Sequence, residues 1–421
     1  MTKNLSAPKF KLLENATMLM LLNIAKLVLP FVSLPYLTRV LTTDAYGTVA
    51  YIKSVIGYMQ VIVDFGFMLS GTKDIVAYLG DRDKLNRTIG DILFARILVS
   101  VFAFLVLLAL VFSIPILKEN KLFALLSFLP VFLSVFLFDY VFRGLEKMHV
   151  ITIRFFVMKS ISTILIFFVI KKDSDILKMP IIDTLSSLVA VVLVFIALKK
   201  EHIIPLITSV KAVFHKIYES FLYFISNVAA QSFNALNTIV AGIFLSKTDI
   251  AYWSVALQII GAIQMFYSPI SDAIYPEMLR SKRMALIKKV LCIFQPIVFL
   301  GCIACFFFAE FGMKIVGGNQ YLDAAFVFRL LIPVLFFAFS SIILGWPTLG
   351  AIQKVKEVTT STVITIILQI AGLVFLIVFK QFTLFNLAIL RSAGEFVLFL
   401  IRFLYCLKFR NEFSREKVCE K

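Results

Sequence analysis

Apolar segments alternate with short polar breaks along the whole chain. Twelve such segments have approximate cores at 13–34, 47–69, 91–113, 122–142, 154–170, 181–198, 218–245, 250–275, 290–311, 324–349, 358–379 and 385–407. A helix needs about 20 apolar residues to cross a bilayer, and these segments match that length. The longest breaks, around 70–90 and 199–217, read as surface amphipathic turns of about twenty residues. They leave no room for an extramembrane domain. The pattern predicts an all-α polytopic membrane protein of 12 transmembrane helices.

The first two segments are not uniformly oily. Lys26 sits in the middle of the first and Lys53 in the second. A charge at the bilayer centre costs about 2.5–3.5 kcal/mol on insertion scales, so such residues tend to face a cavity. At 100° per residue, Asn15, Asn23, Lys26, Pro30 and Ser33 share one narrow arc of the first helix. Lys53, Gly57, Gln60 and Asp64 form a similar stripe on the second. Two polar seams within lipid are expected to face one another across hydrated space. The bland alternative is that the lysines snorkel to an interface or pair with Asp64 and Asp139.

Composition agrees with the pattern. The chain has 421 residues, 61% of them hydrophobic, and a mean hydropathy of +0.97. The net charge of +17 does not call for nucleic acid, because membrane proteins concentrate Lys and Arg in their inner loops. With the N-terminus inside, twenty-six of the 42 Lys and Arg residues, Arg143 and Arg154 among them, fall in inner segments and nine in outer ones. That imbalance predicts cytoplasmic termini. The remaining seven, Lys26, Lys53, Arg96, Lys159, Arg329, Arg391 and Arg402, fall within helices and are the functional suspects. The five cysteines and three histidines show no metal-ligand spacing and no disulfide framework. The short basic N-terminus lacks a cleavage site, so the first helix is expected to be retained. No glycine-rich phosphate loop, Gly-x-Ser-x-Gly or His-Glu-x-x-His occurs. Catalytic residues, cofactors and metals are not expected.

The chain also looks duplicated. Thr43-Asp44 opens the second helix and Thr248-Asp249 the eighth, after equivalent numbers of spans. Nine residues beyond each aspartate stands a polar residue, Lys53 or Gln258. This suggests two six-helix lobes, 1–198 and 218–407, joined by a linker at 199–217 and followed by a tail at 408–421, as in a parallel repeat around a central cavity. The buried excess is basic: Lys26, Lys53, Lys159, Arg329 and Arg391. Amines and guanidiniums in a dry-walled cavity match an anion, a diphosphate above all. Asn227, Gln231, Asn234 and Gln258 on the seventh and eighth helices have the donors and acceptors to meet sugar hydroxyls, or to bond between helices. Arg391 and Glu395 are spaced to pair directly. Asp64, Asp139 and Asp272 are candidates for proton or sodium coupling or for helix capping.

These motifs resemble a known family. PFVSLPYLTRVLTTDAYGTVAYIKSVIGYMQVIVDFGFMLSGTKDI at 30–75 is similar to the start of Wzx-type polysaccharide flippases. FRGLEKMHVIT at 142–152, the stretch at 226–278 that opens SNVAAQSFNALNTIV, and GNQYLDAAFVFRLLIPV at 318–334 follow in the same order. Arg143 departs from the glutamine expected before Gly144. The resemblance implies a MOP-superfamily (MATE-like) fold of two six-helix lobes. It implies transport of an undecaprenyl-diphosphate-linked oligosaccharide from the cytoplasmic to the periplasmic leaflet of the bacterial inner membrane by alternating access. Membrane lipids, a coupling ion, and the polymerase and chain-length regulator of an O-antigen or capsule pathway are the implied partners. A drug/cation antiporter of the same superfamily is the first alternative, although it should favour acidic cavity residues. A polysaccharide polymerase or glycosyltransferase is the second, although it should carry a long outer loop.

Overall fold

The structure, a computed structural model, describes residues 7–413, apart from the side chains at 7–13, 16, 27, 226 and 229–235. Among the described residues there are helices and no strands. Eleven stretches among the described residues are long and apolar enough to cross a membrane. The seventh expected span lies in a helix that runs through residues outside the description. The chain divides into two compact units, Met1–Gln231 and Ser232–Lys421.

The first unit contains α1 (Ala7–Val40), α2 (Thr43–Asp64), α3 (Phe67–Ala77), α4 (Arg82–Ser113), α5 (Pro115–Glu119), α6 (Lys121–Leu133), α7 (Asp139–Gly144), α8 (Met148–Val169), α9 (Lys178–Lys200) and the start of α10 (Val210–Phe244). Thr42 caps α2, its hydroxyl accepting from Ala45 N at 3.3 Å. The second span breaks where Phe65 and Gly66 adopt positive φ, 38° and 77°. A Cβ at Gly66 would lie 2.5 Å from that of Tyr223, so only glycine fits both the φ and the close approach. The fourth span breaks as well, at a 3₁₀ turn (Ser134–Leu137) followed by Phe138 with φ 49°. Such breaks free backbone carbonyls that lipid cannot satisfy, and a neighbouring side chain must do so.

Hydropathy marks the lipid-facing core of each helix rather than its ends. The expected turn at 70–90 is therefore mostly helical. α3 runs on to Ala77, and its Asp74 accepts from Lys216 Nζ at 2.7 Å. Residues 203–209 do not hang free between lobes. They lie extended along the start of α4: Leu206 N donates to Asn86 O at 3.0 Å, and Thr208 N to Asp91 Oδ1 at 2.8 Å. A Cβ at Gly90 would fall 2.2 Å from Leu206 O. Lys147 pairs with Glu201, and Ser70 with Ser220 at 2.7 Å. These bonds carry the segment expected to be a linker, and the start of α10, into the first unit. The boundary accordingly falls inside α10 rather than at 199–217.

The second unit adds α11 (Lys247–Gln264), α12 (Tyr267–Ser281), α13 (Met284–Phe307), α14 (Ala309–Gly317), α15 (Ala325–Ile343), α16 (Val355–Val378) and α17 (Leu384–Lys408). Ser246 and Asp249 form a capping box on α11. The central helix α15 packs against α11, α13 and α17. It ends in a wide turn, Leu344–Gly350, kinked at Gly345. Arg402 reaches this turn from α17 and donates to Ser341 O at 2.7 Å, Ser361 Oγ at 3.2 Å and Thr362 Oγ1 at 3.1 Å.

Gly90→Ala should force the 203–209 segment off α4. Overpacking of this kind costs about 1–3 kcal/mol. A lower melting temperature in detergent and faster proteolysis within 203–209 are the expected readouts.

Candidate functional site: a cationic cavity in the first unit

A cavity of about 830 Å³ opens within the first unit, between α1, α2, α4, α6, α8 and α9. That is within the usual range for a site that holds a small molecule, roughly 300–1,000 Å³. Six basic and three acidic side chains line it. Their pairing decides what the cavity offers to a ligand.

Two of the three carboxylates are taken by arginines. Asp64 Oδ1 accepts from Arg96 Nη2 at 3.3 Å and from Gln60 Nε2 at 2.9 Å. Gln60 Nε2 also donates to Ser134 Oγ at 3.0 Å. The second terminal nitrogen of Arg96 donates to Val135 O at 3.2 Å, one of the carbonyls in the 3₁₀ break of the fourth span. Asp139, the first residue after that break, accepts from Arg154 Nη2 through both oxygens, at 2.8 and 2.9 Å. Arg96 and Arg154 are both buried.

The lysines are placed differently. Lys26, Lys53 and Lys159 all line the cavity, and among the described residues no carboxylate lies within 4 Å of any of their amines. Lys26 and Lys53 are solvent-exposed within it, and the Lys26 amine stands 5.9 Å from the centre of the Phe155 ring. Asp183 and Lys159 line the same cavity as Lys53. Asp183 takes a hydrogen bond from Ser162 Oγ at 2.5 Å. Arg143 completes the set, exposed and without a carboxylate partner among the described residues.

Nine of the residues singled out from the sequence therefore share one cavity: Asn23, Lys26, Lys53, Gly57, Gln60, Asp64, Arg96, Asp139 and Lys159. The lysines do not take Asp64 and Asp139 as partners, because the arginines already hold them. Others are placed elsewhere. Arg329 is engaged by Glu310 at 3.0 Å and stacks over Phe306. Arg391 and Glu395 form a buried pair at 2.9 Å, and Glu395 also accepts from Ser341 at 3.0 Å. These two arginines are thus held by carboxylates of their own rather than standing open. Asp272 is exposed on α12. Gln258 is half-buried on α11, and Asn227 is half-buried on α10, outside the residues that line the first-unit cavity. Gln231 and Asn234 lie outside the described side chains.

Three charged lining residues escaped the sequence reading: Arg143, Arg154 and Asp183. Arg154 was counted with the inner-loop charges, yet it is buried against Asp139. Its position at the start of an apolar segment made it look like a topology signal. Asp183 had a signal, a lone carboxylate in the sixth span.

Arg154 is 4% exposed, whereas Asp139 is 24% exposed toward cavity water. Asp139→Asn therefore strands a buried guanidinium and should cost about 3–5 kcal/mol. Arg154→Met leaves the better-hydrated partner and should cost less. The double variant should recover most of the loss, all read by thermal unfolding in detergent.

Residues 12–282 match the model of the polysaccharide biosynthesis protein family. An Escherichia coli (strain K12) protein named as an O-antigen transporter is 27% identical over 395 residues, covering 90% of this chain and 92% of that one. A Shigella dysenteriae protein of the same name is 23% identical over 269 residues, covering 63% and 67%. Among solved structures, a multidrug resistance MATE family transporter of the MOP superfamily, in its inward-facing conformation, superposes with a TM-score of 0.70 at 12% identity, covering 93% and 94% of the two chains. The lipid II flippase MurJ, in an inward closed conformation, superposes with a TM-score of 0.68 at 15% identity, covering 92% and 87%. The chain belongs to the polysaccharide biosynthesis protein family, and its fold is that of the MOP superfamily.

Proposed function

We propose that this protein is a flippase for an undecaprenyl-diphosphate-linked oligosaccharide repeat unit. It moves the unit from the cytoplasmic to the periplasmic leaflet of a bacterial inner membrane by alternating access, with both termini cytoplasmic. The observation that carries the reading is the unbalanced charge of the first-unit cavity: Lys26, Lys53 and Lys159 without a carboxylate partner, beside two aspartates already held by arginines. Ammonium groups in a site walled by apolar helices attract a doubly charged phosphate chain more strongly than in bulk water. Each charge-assisted bond to phosphate contributes about 1.5–3 kcal/mol. The prenyl tail stays in lipid, where transferring it to the cavity would gain nothing. The names of the O-antigen transporters and of the lipid II flippase support the same reading.

The MATE-like fold keeps a drug/cation antiporter as the second reading. It fits the cavity less well, because a cationic substrate would meet the amines of Lys26, Lys53 and Lys159, while two of the three cavity aspartates, Asp64 and Asp139, are already engaged by arginines. In the flippase reading those aspartates, with Asp272, are the candidates for coupling to protons or sodium. The two six-helix halves, helices 1–6 and 7–12, act as the rocking lobes. A polymerase and a chain-length regulator receive the product.

Lys26→Ala and Lys53→Ala should each reduce surface polysaccharide in a strain that depends on this protein, and the double variant should reduce it tenfold or more. Arginine at either position should preserve most activity. Normal display in the double alanine variant, at normal membrane abundance, overturns the reading. Gly57→Leu offers an independent check. A Cβ there meets nothing within 4 Å, so leucine enters the cavity without strain in α2. It should block display while leaving the melting temperature unchanged or higher.

A further inference from the structure

Asp183 is the cavity carboxylate that no arginine holds. It projects from α9, half-buried, with Oδ1 accepting from Ser162 Oγ at 2.5 Å. Among the described residues no donor reaches Oδ2. Lys159 lies on α8, three residues before Ser162, and Lys53 faces the same space from α2. Neither amine comes within 4 Å of the carboxylate among the described residues. One turn along α2 from Lys53, Gly57 leaves open room. The patch offers one acceptor oxygen and two amine donors to the same open space.

The chemistry of that patch excludes most ligands. A metal ion or an ammonium group would meet two lysines. A bare anion would be drawn by the lysines but opposed by Asp183. A neutral polyol satisfies all three, because each hydroxyl donates to the carboxylate and accepts from an ammonium. Lys53 and Asp64 are eleven residues apart on α2, about 16 Å along its axis. One cavity therefore has length for a diphosphate and the sugar beside it.

We propose that Asp183 and Lys159, with Lys53 shared at the junction, form a pyranose subsite that reads the hydroxyls of the sugar attached to the lipid diphosphate. This deepens the transport reading above and rests on it. Lys26 and Lys53 hold the diphosphate; Asp183 distinguishes a sugar-bearing lipid from a bare one. Buried polar groups left without a partner penalise the analogue that lacks the hydroxyls.

The test uses the full-length protein in lipid nanodiscs and two probes, undecaprenyl diphosphate and undecaprenyl-diphosphate-N-acetylglucosamine. Wild type should bind the sugar-bearing lipid more tightly. Asp183→Asn, which keeps the side-chain shape and a partner for Ser162, should cut that preference about tenfold. It should bind bare undecaprenyl diphosphate as well as before or better, since a negative charge has gone. Lys159→Gln should also reduce the preference and provides the second variant if the first is unstable. An unchanged preference, an equal loss for both lipids, or no preference in wild type overturns the subsite. Failure of wild type to bind either lipid overturns the transport reading itself, a different and separable result.

Discussion

The first unit depends on how its two arginine–aspartate pairs divide the charge. Arg96 and Arg154 are buried, each with its Nε unbonded among the described residues, and a guanidinium out of water is tolerable only with a close counter-charge. Asp64 and Asp139 supply the counter-charge. The pairs also do mechanical work. Arg96 joins Asp64 at the end of α2 to Val135 O in the broken fourth span, and Arg154 joins α8 to the residue just after that break. The same bonds that make the break tolerable take two carboxylates away from the lysines. A cavity lined by six basic and three acidic side chains thereby keeps its lysines free to present a positive face.

Legibility in the sequence followed the strength of the physical constraint. Lipid admits few backbone solutions, so an all-helical membrane-spanning fold could be read directly. The stripes at Lys26 and Lys53 were legible for the same reason, since a charge in the middle of a span must find water or a partner. What the stripes did not reveal was the choice of partner. Asp64 is four residues from Gln60 but thirty-two from Arg96, and Asp139 meets Arg154 only because the chain turns between α7 and α8. Long-range pairing of this kind leaves no periodic trace. The segment 203–209 was opaque for a related reason. Its polar composition suits a linker, and its docking depends on the missing side chain of Gly90, a residue unremarkable in a sequence until Leu206 is placed against it.

The second unit shows what buried charge does when it serves packing. Arg402 satisfies Ser341 O beside the kink at Gly345, and bonds to two hydroxyls of α16. Glu395 joins Arg391 on its own helix to Ser341, linking α17 and α15. From sequence alone these arginines and the lysines of the first helices belonged to one class, basic residues inside spans. The structure separates them by chemistry.

That separation has a physical basis. Guanidinium is planar, weakly hydrated and carries five donors, so it suits dry positions where a carboxylate and a stray carbonyl need joining. Ammonium is compact and strongly hydrated, and it resists leaving water without a full set of acceptors. Arg96, Arg154 and Arg391 are buried against carboxylates, and half-buried Arg402 bonds a carbonyl and two hydroxyls; Lys26 and Lys53 are exposed within a cavity. Arg143 is the exception, exposed at a helix end where water is at hand. An ammonium that has kept its water can exchange it for phosphate oxygens and later recover it, whereas a guanidinium locked to a carboxylate must first break that pair. In the transport reading proposed above, reversible capture therefore falls to the lysines, and the arginines hold the cavity walls.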